Sequence, residues 1–242
     1  MSESLIAVSE NNVATISKKK KYHPNNSYMK AEYGIELHTW QTRDLFFGTW
    51  EHGRYGLLQF AKMIYFLTQA FHSHDPYAEY FLIETDDLLF KVQQSIAATK
   101  KALNHQLQLV DEIQIRIYEV EAPMQRSLRF ISPLGFVATR ILKNFDTILR
   151  MALTLKQLGI YLTPDQYNYQ ALYQQLRQAF EFPSRWQQTK VSRKDIVENS
   201  PLAQKAKEKM GELPEAVLNQ DIKVPFLKSH SSLLDEHKAP WE

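Results

Sequence analysis

Tyr33-Gly34-Ile35-Glu36-Leu37-His38 alternates apolar and polar or small residues, and Thr39-Trp40-Gln41-Thr42-Arg43-Asp44-Leu45-Phe46-Phe47-Gly48 follows without a break. Alternation with period two marks a half-buried strand, and threonine before a partly apolar, helix-spaced run marks a helix start. Glu51-His52-Gly53 interrupts the pattern. A second helix is then expected from about Arg54 to His72, with Leu57, Leu58, Ala61, Ile64, Tyr65 and Phe71 at helical spacing. Upstream stand Lys18-Lys19-Lys20-Lys21 and Lys30. A basic arm, a short strand and two helices joined at a glycine is the outline of a chain that pairs its strand with a second copy and presents arm and ribbon to DNA. The amides near Gly53, Arg54 and Gly56 open the second helix and offer a phosphate clamp.

The charge distribution supports the same expectation. The formal net charge is only +2, but residues 17–31 hold five lysines and no acid, which leaves the remainder net acidic. Clustered lysines bind polyanions by counterion release, giving affinity without sequence readout, and the same cluster on a solvated N-terminus serves only solubility. Glu36 opposes a simple ribbon readout, since it meets a phosphate-lined groove unfavourably unless it accepts from a cytosine amino group or pairs with a lysine. With 242 residues, 44% of them hydrophobic, the chain can bury a full core. No apolar run reaches the length of a membrane span, and the N-terminus lacks an export signal, so a cytoplasmic protein without membrane contact is expected. There is no cysteine, which excludes disulfides, thiolate nucleophiles and cysteine zinc sites together.

Farther along, Asp75-Pro76 starts a long helix expected over 77–110, with Phe81, Leu89, Val92, Ile96, Leu103 and Val110 as its apolar stripe. Ile113, Ile115 and Ile117 alternate with polar residues, as does Leu128-Arg129-Phe130-Ile131, and the two segments predict a second ribbon with Arg116 and Arg129 on its polar face. An amphipathic helix follows Pro133 and ends at Gly159. Thr163-Pro164-Asp165-Gln166 reads as the start of the next helix, and Ser192 and Ser200-Pro201 as the starts of two shorter ones. The chain therefore divides into a basic arm (1–28), a helical DNA-binding and dimerisation domain (29–210), and an extended tail (211–242) that packs through Val224, Phe226 and Trp241.

The search for catalytic chemistry is largely negative. His72-Ser73-His74-Asp75 with Glu79 is the one metal-like cluster, and it lacks the carboxylate pattern of a metallohydrolase. No nucleophile elbow, Walker loop or dinucleotide glycine fingerprint occurs. We expect no enzyme, no metal and no cofactor. A metal-dependent nuclease using His72 and His74 is the remote alternative.

Several segments together resemble a known family. They are Glu36-Leu37-His38-Thr39 with Arg43, Asp75-Pro76-Tyr77-Ala78, Leu128-Arg129-Phe130, Pro133-Leu134-Gly135-Phe136, Phe145-Asp146 and Met210-Gly211-Glu212-Leu213-Pro214. In order and spacing they resemble the AcaB-like family of integrating conjugative elements and large conjugative plasmids, over about residues 33–226. The resemblance implies a transcriptional regulator that promotes expression of conjugative transfer genes through an atypical, dimeric ribbon-helix-helix fold. The lysine arm and His72/His74 lie outside the matching segments.

The expected fold is thus mainly α with small β-ribbons (α+β), an atypical ribbon-helix-helix-like dimer. The expected function is a DNA-binding transcription regulator, an activator of conjugative transfer genes. Its partners are double-stranded DNA, a second copy of the chain, and RNA polymerase or other transfer regulators. A non-enzymatic accessory protein of the conjugation apparatus is the alternative. Candidate DNA contacts are Lys18, Lys19, Lys20, Lys21, Lys30, Arg43, Arg54, Arg116 and Arg129. The reading element stays open: the 33–38 strand has the better topology, with two helices behind it, and the 113–131 pair the better charge.

Overall fold

The protein is described here by a computed structural model, which covers residues 32–49, 54–109, 115–129, 132–164, 166–222 and 224. The lysines at 18–21 and 30, and also Phe226 and Trp241, lie outside the described residues. The architecture is mainly helical, with two small antiparallel two-stranded sheets among the described residues.

The first strand and helix fall where the pattern places them, as β1 (Glu32–Leu37) and α1 (Trp40–Phe47). What holds the turn between them is a residue more than a hundred positions away. Asp146, on α4 (Pro133–Gln157), is 2% exposed. Its Oδ1 accepts the backbone N–H of His38 at 3.1 Å and of Thr39 at 3.0 Å, and the hydroxyls of Thr39 and Thr42 each lie 2.9 Å from the same oxygen. Thr39 does occupy the N-cap position, but its side chain makes no cap bond within α1 because Asp146 takes the hydroxyl.

The strand pairing corrects the ribbon expectations. β1 pairs antiparallel with β4 (Met124–Arg129) of the same chain, with Tyr33 opposite Leu128, Ile35 opposite Arg126 and Leu37 opposite Met124. The two rival ribbons are therefore the halves of one sheet. A second ribbon strand at 113–117 does not form over its described part. Residues 115–120 have no strand pairing, and positions 110–114 and 130–131 lie outside the described residues. The 115–120 segment is held by α4 instead. The Tyr118 N–H donates to Thr154 Oγ1 at 2.8 Å, the Arg150 Nε donates to the Tyr118 carbonyl at 2.6 Å, and Arg150 pairs with Glu119 at 2.7 Å. With both main-chain groups of Tyr118 bonded by side chains of α4, the segment is fixed there without a ladder partner.

Between α1 and α2 (Leu57–His72) the chain makes a small hairpin, β2 (Gly48–Thr49) with β3 (Arg54–Tyr55). Gly56 follows it and cannot be replaced without displacement. A Cβ there would sit 2.3 Å from the Gly48 nitrogen and 2.6 Å from the Phe47 carbonyl carbon, so only glycine lets the two backbones touch. The phosphate clamp expected here is also corrected at its described residue. The Gly56 N–H donates to Gln59 Oε1 at 3.0 Å, and both Gly56 and Leu57 are buried.

Asp75 caps α3 (Pro76–Gln108), accepting from the N–H groups of Tyr77 at 2.9 Å and Ala78 at 3.2 Å. This 33-residue helix is the spine against which α2, α4 and α5 (Tyr169–Glu181) pack. Phe60, Leu82, Leu89, Phe145 and Phe180 are fully buried at these contacts, each side chain contributing about 1.5–3 kcal/mol of transfer free energy. Thr163 does not start a helix as expected. Its carbonyl closes a single turn with Gln166 and Tyr167, and α5 begins later, at Asn168, whose side chain accepts from the Ala171 N–H at 3.0 Å. The short helices α6 (Arg193–Val197) and α7 (Pro201–Met210) have serine caps at Ser192 and Ser200, and Gly211 ends α7 with φ +87°. Beyond it comes α8 (Glu215–Leu218), and Leu213, Val217 and Val224 are buried. The Tyr77 hydroxyl donates to the Gly211 carbonyl at 3.1 Å, tying this end to the start of α3.

Asp146→Ala would strand two backbone N–H groups and two hydroxyls in a dry site. The expected loss is about 3–5 kcal/mol, because each unsatisfied buried group costs about 1–3 kcal/mol and the hydroxyls can re-pair with each other. Urea unfolding followed by circular dichroism checks this, and a loss below about 1 kcal/mol would show that the turn stands without its anchor.

Candidate nucleic-acid interface

The β1–β4 sheet has one buried and one open face. Ile35, Leu37, Met124 and Leu128 point into the core, whereas Gly34, Glu36, Gln125 and Arg129 are exposed. Register follows from the side-chain alternation, since a slip by one residue would turn the apolar set outward. On the open face Gly34 stands opposite Ser127 and Glu36 opposite Gln125.

An open cleft of about 440 Å³ runs along the sheet, lined by Gly34, Glu36, Gln125, Arg126, Ser127 and Lys143 among others. Gly34 contributes no bulk to it, and nothing lies within 4 Å of where a Cβ would be. Arg126 occupies a core-phase position opposite Ile35 and is half-buried. Its Nη1 donates to the Gln125 carbonyl at 3.3 Å, while its Nε is buried without a hydrogen-bond partner. Phe136, Arg140 and Lys143 lie on one side of α4 at spacings of four and three. Phe136 meets the Tyr33 ring at 4.5 Å between centroids, which sets this side of α4 beside β1. Arg140 reaches Gln93 of α3 at 3.4 Å and remains exposed, as does Lys143. Glu36, the acid that opposed a DNA-facing strand, lies 3.5 Å from His38 Nε2.

The predicted contacts scatter around this surface. Arg129 is on the open face of the sheet, but Arg116 is exposed on the irregular segment before β4, so the two do not share a ribbon face. Arg43 is exposed on α1 between Trp40 and Phe47, and Arg54 lies in β3. The pattern search missed Arg126, Arg140 and Lys143. A signal existed for Arg126, because Met124, Arg126 and Leu128 share one phase and put a guanidinium on the apolar side of a strand. Reading β4 as starting at Leu128 concealed it. His72 and His74 are exposed, Asp75 Oδ1 accepts the cap bonds of α3, and Glu79 pairs with Arg193. Among the described residues no three histidine or acidic side chains gather around a metal position.

Residues 27–228 match the family model described as the transcriptional regulator AcaB. The chain belongs to the AcaB family of transcriptional regulators. No curated protein matches it. A crystal structure of selenomethionine-containing AcaB from uropathogenic E. coli aligns with a TM-score of 0.46 at 12% identity, over 76% of this chain and 91% of that one. The AcaB match includes Arg43, Arg54, Arg116, Arg126, Arg129, Arg140 and Lys143, whereas Lys18–Lys21 precede it. The segments that carried the resemblance meet one another in the fold. His38-Thr39 bonds to Asp146, Leu128 pairs with Tyr33, and Tyr77 bonds to Gly211. Most of what is recognisable in this AcaB-family chain is thus the framework behind the interface. No described helix is long and apolar enough to cross a membrane.

An arginine whose Nε is buried without a partner carries an uncompensated desolvation cost. Arg126→Met keeps the stem and removes that cost, so stability should stay level or rise by up to about 1 kcal/mol in urea titration. A loss above about 2 kcal/mol would make the guanidinium a structural group.

Proposed function

We propose that this protein is a non-enzymatic regulator that binds promoter DNA as a dimer and activates conjugative transfer genes. The observation that carries the reading is the open polar face of the β1–β4 sheet, flanked by Arg126, Arg140 and Lys143, in a chain of a transcriptional-regulator family. A two-stranded antiparallel ribbon fits the major groove, where arginine forks match guanine O6 and N7 while lysine meets phosphate as a point charge. Arg129, on the open face, is the candidate base reader, and Arg126 and Lys143 at the border of the cleft, with Arg140 of α4, are the candidate phosphate contacts. The lysines at 18–21 and 30 add affinity that depends on salt but not on sequence. Arg43, Arg54 and Arg116 lie apart from the sheet face and contribute only if the duplex extends past it.

The dimer reading changes its basis. β1 does not need a partner chain to satisfy it, because β4 does so; but among the described residues each strand of this two-stranded sheet keeps one unpaired edge, and such edges favour pairing with a second copy. An activator also requires contact with RNA polymerase or another transfer regulator. The exposed Trp40 (70%) and Phe47 (40%) on α1 favour a protein contact there, which is also the feature that supports an accessory role in the conjugation apparatus.

Three measurements test the reading. Fluorescence anisotropy on promoter DNA from transfer genes should show binding that survives excess competitor DNA. Arg129→Ala should cost about 1–3 kcal/mol on the specific site, and Arg126→Ala or Lys143→Ala should weaken all sequences alike, lowering the salt slope by about one. If only Arg43→Ala, Arg54→Ala or Arg116→Ala weakens binding, the interface lies off the sheet. Removing residues 1–28 should flatten the salt dependence and leave the fold intact, and an unchanged slope makes the arm a solubilising segment. Sedimentation should give a dimer at micromolar concentration; a folded monomer that still binds the specific site would remove dimerisation from the mechanism.

A further inference from the structure

The turn between α2 and α3 borders a cleft that DNA recognition does not use. Its other wall is the extended segment from Trp186 to Ser192, and its volume is about 490 Å³, within the range of small-molecule sites of roughly 300–1,000 Å³. Phe66, Ala70, Trp186 and Val191 give it apolar walls. A buried acid, Asp75, and an exposed base, Lys190, also line it, so the cleft presents opposite charges around an apolar body.

Three features separate this cleft from an incidental groove. Asp75 is 6% exposed, and its pKa is raised from the ordinary carboxylate value, chiefly by burial and against the lowering effect of the Ala78 and Tyr77 N–H groups. The buried Trp186 indole N–H lies beside the Asp75 carboxyl and acts to lower its pKa, without forming a well-aligned hydrogen bond. Finally, His74 (φ +63°) and Lys190 (φ +58°), which both line the cleft, are two of the four non-glycine residues in the left-handed conformation among those described. At His74 this conformation closes the end of α2, with the His74 and Asp75 N–H groups donating to the Phe71 and Ala70 carbonyls, whereas Lys190 follows no helix and its left-handed backbone shapes the loop at the cleft. The neighbouring cleft, beyond His74 and Asp75, is a weaker candidate because Glu79 and Arg193 neutralise each other there.

We propose that this cleft binds a free α-amino acid with an apolar side chain, its ammonium at Asp75, its carboxylate at Lys190, and its side chain against Phe66 and Trp186. A zwitterion answers both charges at once, where a simple amine leaves Lys190 unanswered and a simple carboxylate is repelled by Asp75. The site is independent of the DNA reading, since none of its residues belongs to the sheet face.

Calorimetric titration of the full chain, without DNA, tests the proposal with L-phenylalanine, L-leucine and L-tryptophan as probes. At least one should bind saturably at or below about millimolar concentration. N-acetyl-L-phenylalanine, which lacks the ammonium, and L-phenylalaninamide, which lacks the carboxylate, should each bind at least about tenfold more weakly than L-phenylalanine. Asp75→Asn keeps an oxygen for the α3 cap and should weaken the amino acid by a similar factor with unchanged helicity. Lys190→Gln, at an exposed position, should weaken the amino acid but leave the amide unaffected. No saturable heat with any of the three amino acids, or N-acetyl-L-phenylalanine binding as tightly as L-phenylalanine, overturns the assignment.

Discussion

Asp146 Oδ1 receives four donors from a single stretch of chain, and through them α4 holds the end of β1 and the start of α1 in one place. A carboxylate buried to this degree is tolerable only when donors replace its lost water, and bonds to a charged acceptor are worth about 1.5–3 kcal/mol each. The geometry leaves β1 no freedom. Its last residue, Leu37, is fully buried, Tyr33 leans on Phe136 of α4, and the strand is presented edge-on to β4. The anchor places the end of β1 against α4, and the alternation of the strand then decides its register and which face is buried.

Intramolecular pairing then determines which basic groups stand together. Had β1 paired with a second copy of itself, the ribbon would offer DNA a surface poor in cations, with Glu36 on its polar side. Pairing with β4 brings Arg126 and Arg129 to the same sheet and sets it beside Arg140 and Lys143 of α4. The acid remains on that face, close to His38, while the surrounding cations give the surface its character. Long-range contacts therefore assemble the candidate interface from three parts of the chain.

The second half of the molecule has a different task. α3 runs the length of the core, and its first turn is fastened by Asp75 and Pro76 within the chain and by Tyr77 to Gly211 across it. Glu79, 7% exposed, pairs with Arg193 at the start of α6. These polar ties close the region around the α2–α3 turn, yet leave the cleft with an indole N–H that forms no well-aligned bond and with Lys190 in the left-handed conformation. Such residual strain is held in place by the packing around it.

Local periodicity determined the elements. The alternation at 33–38, the stripe along 76–108, the helix after Pro133 and the serine caps at Ser192 and Ser200 were legible because strand and helix spacing are properties of neighbouring residues. The family was legible too, since its segments sit at points where chain ends, caps and anchors impose particular residues. What the sequence could not supply was partnership. Nothing local distinguishes a strand that pairs with its own copy from one that pairs with residues ninety positions on, or a threonine that caps its helix from one whose hydroxyl goes to Asp146. Those outcomes depend on which buried donors and acceptors come within 3 Å after collapse, and so the sheet, the clustering of Arg126 with Lys143, and the cleft beside Trp186 were decided only by the tertiary structure.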